Sequence, residues 1–295
     1  MDRTPAGAVS TVVRIGSRTS ALARWQADRV AAGLASAGVD SRFVGVRTHG
    51  DVTPGPLADL GGDGVFVTAL EDALLAARID VAVHSYKDMP TRAPDRLVVA
   101  AVLARHDPRD AVVGRPLGDL PAGARVGTSS PRRAAFVRAL RPDLEVVPIR
   151  GNVPTRLAQV DDGAVAAAVL ALAGLERLGL GDRVCEVLAA DAFPPAPGQG
   201  AIAAQCRRDD PAGAAVAGLD DAASRRATAA ERRLMALLGG GCDLALGAWA
   251  EADATGPVRL VARWIGPDGE DRRADVTADT PDGAAEAAAA GLGYR

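Results

Sequence analysis

Short apolar runs and stretches of helical spacing take turns along most of the chain, and that alternation is the signature of an α/β architecture. Val12-Val13-Arg14-Ile15-Gly16 reads as a buried strand, followed by polar Ser17-Arg18-Thr19-Ser20 and a helical pattern over residues 21–37. Thr19 or Ser20 is the expected cap, since a side-chain oxygen there can accept from the first free backbone N–H groups. Residues 43–47 read as a second strand, and residues 65–78 as a helix with Val65, Phe66, Ala69, Leu70, Ala73, Leu74 and Ala77 on one face. A strand over 79–83 then runs straight into His84-Ser85-Tyr86-Lys87-Asp88, and a further strand is expected over 97–102. Arg105-His106-Asp107-Pro108-Arg109-Asp110 looks like a crossing into a second unit. There Ser130 suits a cap and Pro131 the first helical position, which predicts a helix to about Leu140. Strands over 144–149 and 165–172 follow, with Arg150-Gly151-Asn152-Val153-Pro154-Thr155-Arg156 between them repeating the device of loop, proline and arginine at a helix start. The strand over 201–206 is expected to return to the first sheet, which makes the first domain discontinuous and leaves two crossovers as a hinge. Beyond about Ala222 the texture changes to a helix over 224–238, a loop Gly239-Gly240-Gly241-Cys242-Asp243, and strands over 244–251 and Val258–Ile265.

Composition sharpens this picture in three places. Aromatic residues are only 3% of the chain against 48% hydrophobic, so the cores must be close-packed Ala, Val and Leu. The net charge of −3 gives no whole-surface attraction to nucleic acid or to an anionic membrane, and no run approaches the roughly 18 apolar residues of a spanning helix. With no charged-then-apolar start after Met1, a cytoplasmic protein is expected. Cys185, Cys206 and Cys242 are odd in number and far apart, which supports neither a disulfide framework nor a Cys-x-x-Cys metal site, and His49, His84 and His106 add no ligand spacing, so no metal is expected. Cys185 and Cys206 fall in apolar segments that suggest burial, whereas Cys242 sits in glycine and is the candidate for a covalent role.

Lys87 is the only lysine, all other cations being arginine, and it lies just past the carboxyl end of a strand, where open α/β sheets face their ligands. A lysine shifts its pKa on desolvation readily while an arginine stays a cation at neutral pH, so an ammonium beside Asp88 points to chemistry, with a turn residue before Met89-Pro90 as the plain reading of Asp88. Between Arg125 and Arg156 seven arginines face two acids, Asp143 and Glu145. Arg132 and Arg133 occupy a helix's first turn, where the dipole disfavours cations by about 0.3–1 kcal/mol each, so something negative should offset them. Helix N-termini with guanidinium forks make a site for carboxylates or phosphates.

Six ordered blocks then carry a resemblance: Arg14-Ile15-Gly16-Ser17-Arg18, Val83-His84-Ser85-Tyr86-Lys87-Asp88, Gly127-Thr128-Ser129-Ser130-Pro131-Arg132-Arg133, Arg150-Gly151-Asn152 with Thr155-Arg156-Leu157, Gly198-Gln199-Gly200, and Gly240-Gly241-Cys242. In these the chain resembles the hydroxymethylbilane synthases, also called porphobilinogen deaminases. The resemblance implies two periplasmic-binding-protein-like α/β lobes, residues 1–103 with 199–217 and residues 108–195, plus a smaller α+β C-terminal domain over 222–295. It implies a transferase of tetrapyrrole (porphyrin, heme) biosynthesis that joins four porphobilinogen molecules head to tail, expels ammonia each time and releases hydroxymethylbilane with water. It further implies a dipyrromethane cofactor in thioether linkage to Cys242, contacted by Lys87, Asp88, Ser129, Arg132 and Arg133, with substrate carboxylates bound by Arg18, Ser20, Arg150, Arg156, Arg177 and Gln199. Asp88 would steer protons and stabilise the azafulvene cation left by ammonia, with Lys87 beside it. A monomer acting on a small molecule, without nucleic acid or membrane partners, goes with that reading.

The sequence also departs from the family. Asp63 stands where Gly-Gly-Lys-Gly is common, Asp243-Leu244-Ala245-Leu246-Gly247 replaces a Pro-x-Gly pattern, and the chain stops at Arg295, short of the usual final helix, so a shortened third domain is expected. Two other classes of function compete with synthase activity. A non-catalytic two-lobed anion-binding protein would carry no adduct at Cys242, and a transferase using Cys242 as nucleophile would need a base that no neighbouring histidine supplies.

Overall fold

The structure, a computed structural model, describes residues 12–47, 67–240 and 244–294. The chain opens with β1 (Val13–Ser17), α1 (Ala21–Ser36), β2 (Ser41–Gly45), α2 (Thr68–Leu75), β3 (Val81–Ser85) and β4 (Leu97–Val102). It crosses to β5 (Asp110–Val113), β6 (Arg125–Gly127), α3 (Pro131–Leu140), β7 (Glu145–Val147), α4 (Val153–Asp161), β8 (Ala167–Ala171), α5 (Leu172–Arg177) and β9 (Val184–Val187), then returns as β10 (Ile202–Arg207). The first sheet has the order β2-β1-β3-β10-β4 and the second β7-β6-β8-β5-β9. In each, four strands run in one direction while the strand that arrives from the other lobe, β10 or β5, lies antiparallel between two of them. The expected return of the chain to the first sheet is therefore observed, and the two lobes exchange one strand each.

Local chemistry explains the helix starts. Ser20 accepts from Ala23 N at 3.3 Å, Ser130 caps α3 with Pro131 at its first position, and Asn152 accepts from Thr155 N at 3.0 Å at the head of α4. Strands buried on both faces hold Ile15, Val81, Val83 and Ile202 in one core, and Val112, Val126 and Val169 against Phe136 in another. Two expectations on boundaries move. The helix ending at 78 stops at Leu75, because Ala77 turns into the left-handed region (φ 51°) to swing buried Ile79 back to the sheet. Strand β3 extends through His84 and Ser85, which pair with Ala203 and Ile202.

The third unit begins after α6 (Pro211–Ala217) with α7 (Ala222–Leu237), followed by β11 (Leu246–Ala252), β12 (Val258–Ile265), β13 (Asp271–Ala278) and α8 (Pro281–Gly291). Its antiparallel sheet is covered by both helices, with Ala230 and Leu234 meeting Ala284, Ala285 and Ala288. Strand β13 and helix α8 were not expected from the sequence. The helix is capped by Thr280, whose hydroxyl accepts from Gly283 N at 3.1 Å, and it closes the core of this unit. The expectation for Cys185 fails: it is exposed, because β9 is an edge strand, while Cys206 in central β10 is buried as expected. No helix among the described residues is long and apolar enough to cross a membrane.

Candidate active site

Strand β3 delivers His84 and Ser85 and then a single 3₁₀ turn, Tyr86–Asp88. Buried His84 Nε2 lies 3.1 Å from Gln205 Oε1, and the other end of that amide donates to Glu71 Oε1 at 2.9 Å, so His84 Nε2 carries the proton. Burial outweighs that hydrogen bond and pushes the imidazole down to about 4, leaving a neutral ring beneath the turn. Asp88 is exposed and, with Arg18, Ser20, His84 and Ser85, lines a cavity of about 80 Å³ at the carboxyl end of the first sheet.

Lys87 turns the other way. Its ammonium donates to Gln199 Oε1 at 3.1 Å. Burial, then the neighbouring Arg133, lower it to about 8 against the opposing pull of Asp88 and Asp110, with Arg132 adding to the lowering. Gln199 is brought there by the tight turn before β10. Gly198 has φ +75°, which strains any residue with a Cβ, and a Cβ there would also crowd Lys87 N at 3.3 Å. Gln199 Nε2 donates to Pro108 O at 2.7 Å and to Asp110 Oδ1 at 2.8 Å.

The negative charge required by the first turn of α3 is Asp110. Arg133 Nε and Nη2 donate to its Oδ1 at 3.0 and 2.7 Å, and Arg132 Nη2 lies 2.7 Å from its Oδ2. Burial alone would raise this carboxyl, but the two guanidiniums outweigh it and hold it at about 2. Arg132 also donates to Pro194 O at 2.8 Å, and Arg133 to Val169 O at 3.1 Å. Sequence reasoning passed over Asp110 because the crossing segment around it looks like an ordinary charged loop.

The remaining expected residues divide into two groups. Arg156, in the first turn of α4, donates to Gly151 O at 2.9 Å; burial, then Arg133, lower its pKa while Asp88 opposes. Arg150 and Ser129 are exposed nearby, and the Ser129 hydroxyl donates to Ile149 O. Arg177 is buried, lies 5.4 Å over the Trp25 ring and donates to Gly200 O at 2.6 Å; burial lowers its pKa to about 10. Gln199 and Arg177 thus sit at the junction of the crossovers, whereas Arg18, Ser20 and Asp88 line the cavity.

The third unit reaches the same turn. Arg232 on α7 donates to Tyr86 O, Met89 O and Pro90 O at 3.2, 2.9 and 2.5 Å, and its guanidinium lies 4.3 Å over the Tyr86 ring. Nothing in its sequence context distinguished Arg232 from its helical neighbours. Gly240 (φ +46°) comes so close that a Cβ there would lie 2.9 Å from Thr91 Oγ1, three residues past Asp88. Cys242, Asp63 and Asp243 lie outside the described residues.

The donor set fits a polycarboxylate. Among the described residues, the buried side-chain N–H groups lacking a partner are Nε of Arg132, Arg177 and Arg226, the first at the Asp110 cluster and the second at the crossover junction. The described residues contain no group of three or more His, Cys, Asp or Glu able to hold a metal ion.

The family model described as porphobilinogen deaminase, dipyromethane cofactor binding domain, matches residues 13–215. A porphobilinogen deaminase of Nocardia farcinica is 50% identical over 250 residues, spanning 83% of this chain and 72% of that one. One of Acidothermus cellulolyticus is 45% identical over 292 residues, spanning 96% and 88%. Among solved structures, the methionine binding protein MetQ aligns with a TM-score of 0.45 at 14% identity, over 70% of this chain and 88% of that one.

Proposed function

The chain belongs to the porphobilinogen deaminase family, and from that premise we propose that the Asp88 turn is where porphobilinogen units are joined, beside a dipyrromethane held by Cys242. As a member it is a transferase of tetrapyrrole biosynthesis with a dipyrromethane cofactor. The observation that carries the reading is what meets at one turn. Asp88 lines the cavity with Arg18 and Ser20 of the first lobe, Arg156 of the second lobe is near enough to respond to its charge, and Gly240 of the third unit lies against Thr91.

The residues divide the work by charge. When bound, the dipyrromethane supplies the pyrrole to which substrate is joined and a set of carboxylates. Arg132, Arg133, Ser129 and Lys87 are the donors we assign to that group, with Arg18, Ser20, Arg150 and Arg156 facing the carboxylates of incoming porphobilinogen. Arg177 and Gln199 support them from the junction, since both polar ends of the Gln199 amide are engaged within the chain. Departure of the substrate's amine as ammonia leaves a cation conjugated with its pyrrole ring, and a carboxylate a few ångströms away stabilises that charge. The carboxylate of Asp88 does so and carries the proton given up by the pyrrole carbon at which the new bond forms. A cytoplasmic monomer without nucleic-acid partners completes the reading.

Intact mass spectrometry of protein from a host making porphobilinogen tests it. The chain should carry the mass of two joined pyrroles, Cys242→Ser should remove it, and Asp88→Ala should keep it while losing turnover. A bare polypeptide mass would favour the anion-binding alternative and sink the proposal. Normal turnover by the Asp88 variant would take Asp88 out of the mechanism.

A further inference from the structure

Asp110 touches neither the open cleft nor Lys87, yet every polar contact around Lys87 leads back to it. A carboxylate only accepts hydrogen bonds, so Gln199 must turn its amide nitrogen toward Asp110 Oδ1 and toward Pro108 O. Its oxygen is thereby left to face Lys87 Nζ at 3.1 Å and Arg133 Nη2 at 3.3 Å. Arg133 is fixed from the other side by its two bonds to the same Oδ1. Three cations, Lys87, Arg132 and Arg133, are gathered around one buried anion.

We propose that Asp110 is a positioning residue for the reaction, aiming the Lys87 ammonium through Gln199 and holding the Arg133 guanidinium on its own carboxylate. The inference rests on the reading of the Lys87-Asp88 turn as the site of condensation. The charged groups facing Lys87 are Arg132 and Arg133 on α3, Asp110 at the head of β5, and Asp88 on its own turn. Arg156 on α4 is acted on by Arg133 and Asp88, and Arg232 on α7 is occupied by the carbonyls of the turn. With asparagine at 110 the size is kept but the anion is lost, and a donor can face Gln199. The glutamine is then free to flip and present its NH₂ to an ammonium already beside two guanidiniums.

Because Lys87 is the only lysine, protein grown on lysine labelled with ¹³C at the ε carbon gives one lysine resonance, whose titration reads this ammonium directly. In the wild type the midpoint should fall near 8. In Asp110→Asn it should fall by about one pH unit or more, the usual effect of removing a nearby opposite charge. The alkaline limb of kcat/KM should move down with it, giving roughly a fivefold loss at pH 8 for a one-unit shift. A folded Asp110→Asn whose resonance titrates as in the wild type overturns the proposal, even if activity drops equally at all pH values. Should that variant fail to fold, Gln199→Met decides: without the oxygen that Asp110 turns toward Lys87 the midpoint must fall, and an unmoved midpoint overturns the proposal. The resonance is read without turnover, so failure here is distinct from failure of the pyrrole adduct to appear.

Discussion

Replacing Glu231 by alanine should be among the most damaging single changes outside the cleft, and the structure lets its size be worked out. The Glu231 side chain is 0% exposed and its partner Arg105 9% exposed. Oε1 accepts from Arg105 Nη1 at 2.7 Å and from Ala250 N at 2.8 Å, while Oε2 accepts from Arg105 Nη2 at 3.0 Å and from Gly198 N at 2.7 Å. One carboxylate on α7 thus ties the segment leading to β5, the turn before β10, and strand β11. Counting four charge-assisted bonds at about 1.5–3 kcal/mol each would give roughly 6–12 kcal/mol, an overcount, because water and side chains move into the space left. The better guide is the cost of removing one partner from a buried pair, about 3–5 kcal/mol, dominated by the guanidinium left without a counter-charge. Against a total stability of about 5–15 kcal/mol this is a large fraction. Urea unfolding should be followed by far-UV circular dichroism and by the fluorescence of Trp249, next to Ala250 on β11, since three packed units need not melt together. Arg105→Met alone strands the carboxylate and should cost a similar amount. The double variant Arg105→Met/Glu231→Leu should cost less than the sum of the single variants, because it leaves no buried charge. A loss under about 1 kcal/mol for Glu231→Ala, or strictly additive single effects, would refute the reasoning.

What could be read from the sequence was what local chemistry writes locally. Ser130 and Pro131 announce the start of α3, and the apolar run at 97–102 coincides with β4. The motif at 83–88 could be put at a strand's ligand end because its apolar and polar halves are adjacent. The electrostatic partners could not be read. Arg105 meets Glu231 across 126 positions and Lys87 meets Gln199 across 112, separations that no period records. Asp110, only 23 positions from Arg133, was hidden differently: the sequence asked for a negative charge at that helix start but offered several nearby carboxylates with no means of choosing. Strand β13 was missed because its burial pattern leaves one residue, Ala274, fully buried, so its alternation is mostly between polar types. Helix α8 is a different case. Thr280-Pro281 and the recurrence of Ala284, Ala285, Ala288 and Ala289 were legible as a cap and an apolar face, and the expectation of close-packed alanine cores was signal enough to find it.

Two further changes test the junction and the first sheet. Gly200 has φ +83°, and a Cβ on it would lie 2.5 Å from His106 O, so Gly200→Ala should cost about 1–3 kcal/mol from backbone strain alone and lower the thermal midpoint. An unchanged melting curve would show that the turn relaxes freely. Asp80 accepts from Arg14 Nε and Nη2 at 2.8 and 2.5 Å and from Arg207 Nη2 at 3.1 Å, and chiefly the Arg14 bond, against burial, brings its carboxyl from 3.8 down to about 2. A folded-state pKa below the unfolded one means the contribution is full above the unfolded value and disappears as pH falls through the folded value. The stability gap between wild type and Asp80→Asn should therefore be constant at neutral pH and close as pH falls from 3.8 to about 2. A gap that widens toward acid, or ignores pH across that window, would mean that the arginines do not hold Asp80 ionised as the geometry requires.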